Sequence, residues 1–475
     1  MPDHPGGLRP PPLLKRGGEN NIPSPSGIRR GGENNILSPA GILSPAGILS
    51  PAGIPSPAGI PSPGGIPSPG GIPSPGGIPS PAGILSPSGT WLGVLPPLAL
   101  YVHIPWCVKK CPYCDFNSHQ ARGDVPEQAY VEALVTDLEL ALPGVWGRRV
   151  YSIFFGGGTP SLFSAAAIET LISAFRARLS LAADCEITLE ANPGTFEVQK
   201  FRGYREAGVN RLSIGIQSFD PRHLKALGRI HDDGEARRAI EIARKHFDNI
   251  NLDFMYALPE QTPEEAQADA EAALEAGTTH LSFYHLTLEP NTLFYRHPPV
   301  LPEEDEAAAM QDAIGAALAA RGYLHYETSA WAKPGRECRH NLNYWRFGDY
   351  LGIGAGAHGK VSFPDRVVRT ARWKQPREYL QRVAEGLPVQ ETHEVGRDDL
   401  VFEFMMNALR LTDGFPVGSF VERTGLQIAV AERPLREAEA RGLIARDHER
   451  IRPTDLGQRF LNDLLQLFLP DAKRA

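Results

Sequence analysis

Cysteine and methionine are scarce in this chain, five of each in 475 residues. So small and odd a cysteine count excludes a disulfide scaffold. No apolar run approaches the ~18–20 residues that a membrane-spanning helix needs. No basic–apolar–cleavage-site pattern opens the chain, so a cytoplasmic protein is expected rather than a secreted one. A basic excess is lacking too: Lys+Arg 48 against Asp+Glu 55 gives a formal net charge of -7, and a nucleic-acid partner is not expected. Proline and glycine are abundant but uneven. Residues 1–93 hold 21 of the 44 prolines and 20 of the 48 glycines. The 382 residues that follow have an ordinary globular composition, ample for a large core.

From Ser38 to Thr90 a six-residue unit, Ser-Pro-Ala/Gly-Gly-Ile-Pro/Leu, recurs, and Arg-Gly-Gly-Glu-Asn-Asn-Ile occurs twice before it. An isoleucine every six residues suits a hexapeptide β-helix, but one or two prolines per unit remove the ladder donors. Glycine is not at every third position, which excludes collagen. Residues 1–93 therefore read as a disordered low-complexity segment, or as repeated DNA translated upstream of the true start.

From Leu98 short β-rich runs alternate with segments of helical period. The runs are Ala99–Ile104, Val150–Phe155, Glu186–Glu190, Arg211–Ile216, Ile250–Met255 and Leu281–Leu286. Six β-α repeats predict an α/β fold, an open partial (β/α)6 barrel over residues 94–330, with its chemistry at the C-terminal strand ends. Residues 336–375 are rich in glycine and aromatics, and the segment 331–394 around them is expected to cap the barrel. Residues 395–475 predict a small winged-helix-like helical module. Its stretch 398–468 has nine Arg and no Lys against twelve Asp+Glu, so a structural or docking role fits better than DNA binding.

Three of the five cysteines lie in Cys107-Val-Lys-Lys-Cys111-Pro-Tyr113-Cys114, directly after the first predicted strand. Three thiolates at this spacing can wrap one cubane iron–sulfur cluster and leave its fourth iron open. Zinc would need a fourth ligand, for which His119 is the nearest candidate. Cys185 and Cys338 stand apart and read as packed thiols. After the second strand comes Gly156-Gly157-Gly158-Thr159-Pro160, a loop with little side-chain cover for its N–H and C=O groups.

The CxxxCxxC motif, with an aromatic before its last cysteine, resembles the radical S-adenosylmethionine (SAM) superfamily. The resemblance implies a [4Fe–4S] cluster on Cys107, Cys111 and Cys114, whose open iron chelates SAM and whose electron cleaves it to a 5′-deoxyadenosyl radical. It also implies SAM contacts from Tyr101, Tyr113, Gly157, Gly158, Thr159, Glu190, Gln217, Arg229 and Asp253. An external electron donor such as flavodoxin or ferredoxin is implied as well.

Within the superfamily, residues 98–468 resemble oxygen-independent coproporphyrinogen III oxidase and its relatives. Two activities follow from that resemblance. One is radical decarboxylation of porphyrinogen propionates to vinyls. The other is heme binding and delivery, as in the heme-chaperone branch of the HemW type. The oxidases carry a further Cys where this chain has Phe116, and an ordered N-terminal extension that Pro/Gly repeats cannot supply. The string His340-Asn341-Leu-Asn-Tyr344-Trp345 matches the HNxxYW signature of the chaperone branch. An imidazole can ligate heme iron, Tyr344 and Trp345 offer flat faces, and Arg339 and Arg346 suit propionates. His358 and Cys338 are rival iron ligands. His285 stands where the family pattern leads one to expect Gln. The reading is a heme chaperone with cluster, SAM and heme, acting on an acceptor protein, and any membrane association is expected to be peripheral, through that acceptor.

Overall fold

The computed structural model describes residues 92–194 and 198–470. The reading of the segment before Leu92 lies outside the described residues.

Six strands alternate with helices as the periodicity predicts. The strands are β1 (Leu98–Ile104), β2 (Arg149–Gly157), β3 (Ser180–Ala191), β4 (Arg211–Gln217), β5 (Ile250–Tyr256) and β6 (His280–His285). They lie side by side in chain order, all parallel. Helices α1 (Glu127–Ala141), α2 (Ala165–Arg178), α3 (Phe201–Ala207), α4 (Pro221–Ala226), α5 (Asp233–His246) and α6 (Pro263–Glu275) make the crossovers, followed by α7 (Leu293–Arg296) and α8 (Glu304–Ala320). Their starts are written in the sequence. Asp232 with Glu235 and Thr262 with Glu265 form capping boxes, and Pro263 takes the first position of its helix.

Strand alternation sorts the side chains. Leu98, Leu100, Val102 and Ile104 of β1 join Ile153, Phe155, Leu189 and Leu212 in the main core under the helices. Tyr101 and Phe154 face the other way and meet Cys338 in a separate inner cluster. Strands buried on both faces read as near-continuous apolar runs, which is why all six were recognisable.

Residues 331–394 were expected to cap the barrel, but strands spanning 324–394 extend the same sheet on both sides. On the β6 side, β7 (Leu324–Glu327) and β8 (Ala330–Ala332) add antiparallel strands. On the β1 side come β9 (Asp349–Ile353), β10 (His358–Ser362), β11 (Val367–Arg372) and β12 (Val389–Glu394). The order is β12-β11-β10-β9-β1-β2-β3-β4-β5-β6-β8-β7, with β9 parallel to β1. Helix α9 (Arg339–Trp345) carries the HNxxYW motif and α10 (Pro376–Ala384) follows β11. A buried ion pair ties this extension to α1: Arg372 lies 3.0 Å from Asp137, which also accepts the Tyr379 hydroxyl at 2.9 Å.

The last module has its own core around Phe404, Phe420, Leu435 and Leu464. It contains α11 (Arg397–Ala408), α12 (Val417–Thr424), α13 (Glu432–Ala440) and an antiparallel pair, Ile444–Arg446 with Arg450–Pro453. It ends in two short helices, Asp455–Arg459 and Leu461–Gln466, separated at Phe460. No helix among the described residues is long and apolar enough to cross a membrane.

Candidate functional site

The C-terminal ends of β1 to β6 bring the predicted residues together. The cysteine loop leaves β1 and is pinned at both sides. His119 N–H donates to the Pro105 carbonyl at 2.7 Å, and Ala121 N–H to that of Cys107 at 2.9 Å. Lys110 Nζ closes the loop on the carbonyls of Phe116 and Ser118, each at 3.1 Å. All three cysteines are partly buried, and none is in a disulfide. Cys114 Sγ lies 3.6 Å from Ser118 Oγ, and Arg229 donates to Cys111 Sγ at 3.8 Å. Burial raises the pKa of Cys107 and pushes that of Cys114 up to about 12. Thiolates here need a cation to carry their charge, which suits iron ligation. His119 bonds Asn117 Oδ1 at 3.2 Å, so it is engaged inside the loop.

The glycine loop at the end of β2 is forced by its surroundings. Gly157 has φ +120, and a Cβ there would lie 2.7 Å from the His103 ring. A Cβ on Gly158 would lie 2.6 Å from the Trp106 carbonyl oxygen. Glu190, at the end of β3, accepts the Gly157 N–H at 3.2 Å. Asn192, two residues on, donates to Thr159 Oγ1 at 3.1 Å and accepts from Arg229 at 2.7 Å. Arg229 also donates to the Gly215 carbonyl at 2.9 Å. Among the described residues its Nε is buried with no partner. Gln217 closes β4 in the left-handed region, φ 71, and its amide sits beside Gly215.

Tyr101 and Asp253 complete the inner wall. The Tyr101 hydroxyl lies 2.9 Å from His103 Nδ1, and His103 Nε2 lies 3.0 Å from the Asn117 carbonyl in the cysteine loop. Burial lowers the His103 pKa to about 4, so its ring is neutral and links strand to loop. Asp253 accepts from Ser213 and from Asn251, both at 2.8 Å, and from Tyr284 at 3.4 Å. Burial holds its pKa above the usual carboxylate range. Tyr113 packs between Leu227, Met255 and Phe294 under the loop. The donor set fits the groups that the sequence implies. Three sulfurs suit a cluster. A backbone cradle with a carboxylate, two amides and a guanidinium would suit an amino acid-bearing nucleoside. Asn192, Asn117 and Ser118 belong to this constellation and were not singled out by sequence; their only signal was proximity to Glu190 and the cysteines.

The HNxxYW residues lie on the inner face of the sheet, with the His340 ring 6.4 Å from that of Tyr101. His340 is fully buried. Its ring stacks on Phe154 at 5.0 Å and meets Tyr344 edge-on at 5.1 Å, and its Nδ1 lies 3.0 Å from Ser152 Oγ. Among the described residues Nε2 has no hydrogen-bond partner, a cost of about 1–3 kcal/mol for a buried polar atom. Burial and the nearby Arg211 charge lower its pKa to about 3. Trp345 is buried under Arg410, 4.6 Å from ring centre to guanidinium carbon. Arg339 instead faces outward and pairs with Asp184 at 2.7 Å. His358 and His285 are half-buried, the latter stacked on Tyr256 at 5.3 Å. Cys338 and Cys185 are packed thiols, as expected.

The cluster loop, the glycine loop and the strand-end polar groups on a partial barrel define a radical SAM protein, and the radical SAM superfamily model matches residues 101–273. The HemN C-terminal domain model matches residues 395–460. The heme chaperone HemW of Escherichia coli (strain K12) is 51% identical over 379 residues, spanning 79% of this chain and 99% of its own length. That of Haemophilus influenzae is 46% identical over 383 residues, again 79% and 99%. Among solved structures, coproporphyrinogen III oxidase (HemN) from Escherichia coli, described as a radical SAM enzyme, aligns with a TM-score of 0.67 and 25% identity, covering 79% of this chain and 90% of that one. The chain belongs to the HemW family of radical SAM proteins.

Proposed function

We propose that this protein binds heme together with a [4Fe–4S] cluster and SAM and passes the heme to an acceptor protein. The observation that carries the reading is the 51% identity to the heme chaperone HemW across 99% of that protein's length. Phe116, where the oxidases carry a further cysteine, supports it, as does the complete motif from His340 to Trp345.

Cys107, Cys111 and Cys114 would hold the cluster. Gly157, Gly158, Thr159, Glu190, Gln217, Arg229, Asp253 and Tyr101 would hold SAM, with Asn192 bridging the glycine loop to Arg229. When bound, the reduced cluster supplies a single electron to SAM. The chain's own work is positional. Glu190 fixes the Gly157 amide, Arg229 brings a permanent positive charge to the sulfur side of the site, and neutral His103 ties Tyr101 to the cysteine loop. An external donor such as a flavodoxin or ferredoxin would feed the cluster. For heme, the motif residues His340, Asn341, Tyr344 and Trp345 would supply the iron ligand and flat apolar contacts.

The likeness to coproporphyrinogen III oxidase favours a second reading, oxidative decarboxylation of propionates. One experiment separates the two. The anaerobically reconstituted protein is given reductant, SAM and coproporphyrinogen III, and in parallel is loaded with heme and passed over a sizing column. Retained heme with no vinyl product is the expected outcome. Turnover to protoporphyrinogen without retained heme would replace the chaperone by the oxidase.

A further inference from the structure

The cysteine loop is anchored at its base, where Trp106–Cys107 pairs with His119–Gln120. Further out, Asn117 carries the loop across to the sheet extension. Its side-chain amide donates one hydrogen to the Ala355 carbonyl and the other to that of Lys374, both at 2.9 Å. Its Oδ1 lies 3.2 Å from His119 Nε2. Its main-chain carbonyl lies 3.0 Å from His103 Nε2, which must therefore carry the ring proton. His103 Nδ1 is left bare to accept the Tyr101 hydroxyl at 2.9 Å. The side chain of Asn117 thus spends both amide hydrogens and its oxygen, and none of them on solvent.

The receiving surface is shaped and braced for this contact. Ala355 lies in the turn between β9 and β10. Its neighbour Gly356 has φ +79, and a Cβ there would overlap Asn117 Nδ2, so glycine alone admits the amide. The turn is held from behind by α1. Ala355 N–H donates to the Tyr130 hydroxyl at 2.7 Å, and Gly354 N–H to the Asp137 carboxylate at 3.2 Å. Both of these α1 side chains are fully buried. Gly356 N–H donates to the Trp373 carbonyl at 2.8 Å. On the loop side, Asn117 stands three residues after Cys114, and the next residue, Ser118, places its Oγ 3.6 Å from Cys114 Sγ. A displacement of Asn117 therefore displaces the end of the loop that presents that sulfur.

We propose that Asn117 is the positioning residue of the cluster loop: it fastens the Cys114 half of the loop to the β9–β10 turn, so that the sheet extension helps set the geometry in which the three sulfurs meet a cluster. The inference rests on the cluster assignment proposed above. Residues that hold metal ligands in place tune the affinity and the electronic character of the metal without touching it. The fastening also gives the glycines of this turn a purpose, since Gly356 is what lets a side chain of the cysteine loop reach the backbone of a segment more than 200 residues away.

The test uses the full chain, reconstituted anaerobically. It follows the transfer of cluster iron to the chelator ferrozine and the electron paramagnetic resonance of the dithionite-reduced cluster. Asn117→Ala is expected to take up a cluster but to lose its iron about ten- to a hundredfold faster than the wild type, with altered g values. Asn117→Asp keeps the shape and has no amide hydrogens to give, and the same behaviour is expected of it. Gly356→Ala leaves the cysteine loop's own sequence intact and is expected to reproduce both effects from the far side of the contact. Wild-type release and spectrum in Asn117→Ala overturn the assignment of Asn117. Wild-type behaviour of Gly356→Ala overturns the role of the extension. Should these variants fail to fold, hydrogen exchange on the wild-type chain decides: the amides of 354–357 gain protection on cluster loading if the fastening is real, and are indifferent to it if the proposal is wrong. A wild-type chain that takes up no cluster removes the cluster assignment itself. That result is distinct from a filled cluster that is insensitive to Asn117.

Discussion

Glu190 Oε2, at the end of β3, accepts the backbone N–H of Gly157, at the end of β2, at 3.2 Å. The carboxylate thereby orients the glycine loop that is proposed to receive SAM. The same loop tolerates no side chain at Gly157, where a Cβ would lie 2.7 Å from His103 at a φ of +120. Gly157→Ala is expected to weaken SAM binding at least tenfold while leaving the cysteine loop able to take up iron. Calorimetry with SAM and iron quantitation on the same sample check this; unchanged SAM affinity would remove the loop from the site.

The cluster assignment makes a simple demand. Replacing Cys107, Cys111 and Cys114 together by Ala should abolish the visible charge-transfer absorbance of the anaerobically reconstituted protein and its iron content. Cys185→Ala, at a packed thiol, should leave both intact. A triple variant that still bound iron in a cubane signature would overturn the assignment.

Arg229 joins β4, Asn192 and Cys111 through its guanidinium. Arg229→Ala is expected to weaken SAM binding ~10–100-fold, since a hydrogen bond to a charged group is worth about 1.5–3 kcal/mol. Equilibrium binding of SAM to the cluster-loaded variant is the measurement. Wild-type affinity would remove Arg229 from the site.

Asp137 and Arg372 are a stability element remote from the site. Asp137 is fully buried and accepts from Arg372, Tyr379 and the Gly354 amide. Asp137→Ala leaves the guanidinium unpaired and should cost about 3–5 kcal/mol, read as a lowered denaturation midpoint with SAM affinity preserved in the folded fraction. A shift under 1 kcal/mol, taken as about a third of that cost, would contradict the reading.

The pH dependence has a definite sign at His340. In the unfolded chain it takes a proton below its ordinary value of 6.5, whereas in the fold burial and Arg211 lower that to about 3. The native state then binds fewer protons, so this residue's contribution to stability is full above pH 6.5 and is lost as pH falls toward 3. His340→Gln, which cannot titrate, should show a smaller fall in Tm between pH 7 and pH 5 than the wild type. Equal slopes would mean that His340 is protonated in the fold.

Much of this molecule was legible from sequence, for identifiable reasons. β1 to β6 announce themselves because each is an apolar run bounded by turn residues, and chemistry in such sheets gathers at strand ends. Cys107, Glu190 and Gln217 were therefore singled out by position as much as by type. What was not legible depends on pairing across long separations. Asp349 of β9 sits beside Leu98 of β1, and nothing local in Asp-Tyr-Leu-Gly-Ile says that it extends the sheet and does not cap it. Glu186 reads as an ordinary strand residue, and its role as acceptor for the start of α9 arises only because 338–340 return to it. The HNxxYW motif drew attention to His340 without revealing that its ring lies stacked on Phe154. Asn192 carries no motif of its own and is recognisable only beside Thr159 and Arg229.

The central claim is that this chain carries heme. The measurement that addresses it most directly is an equilibrium heme titration of the anaerobically reconstituted protein, followed at the Soret band with and without SAM. The account predicts saturation near one heme per chain, with a spectrum that SAM alters and that His340→Ala removes. Absorbance that rises without saturating, and is indifferent to SAM and to His340, would contradict it.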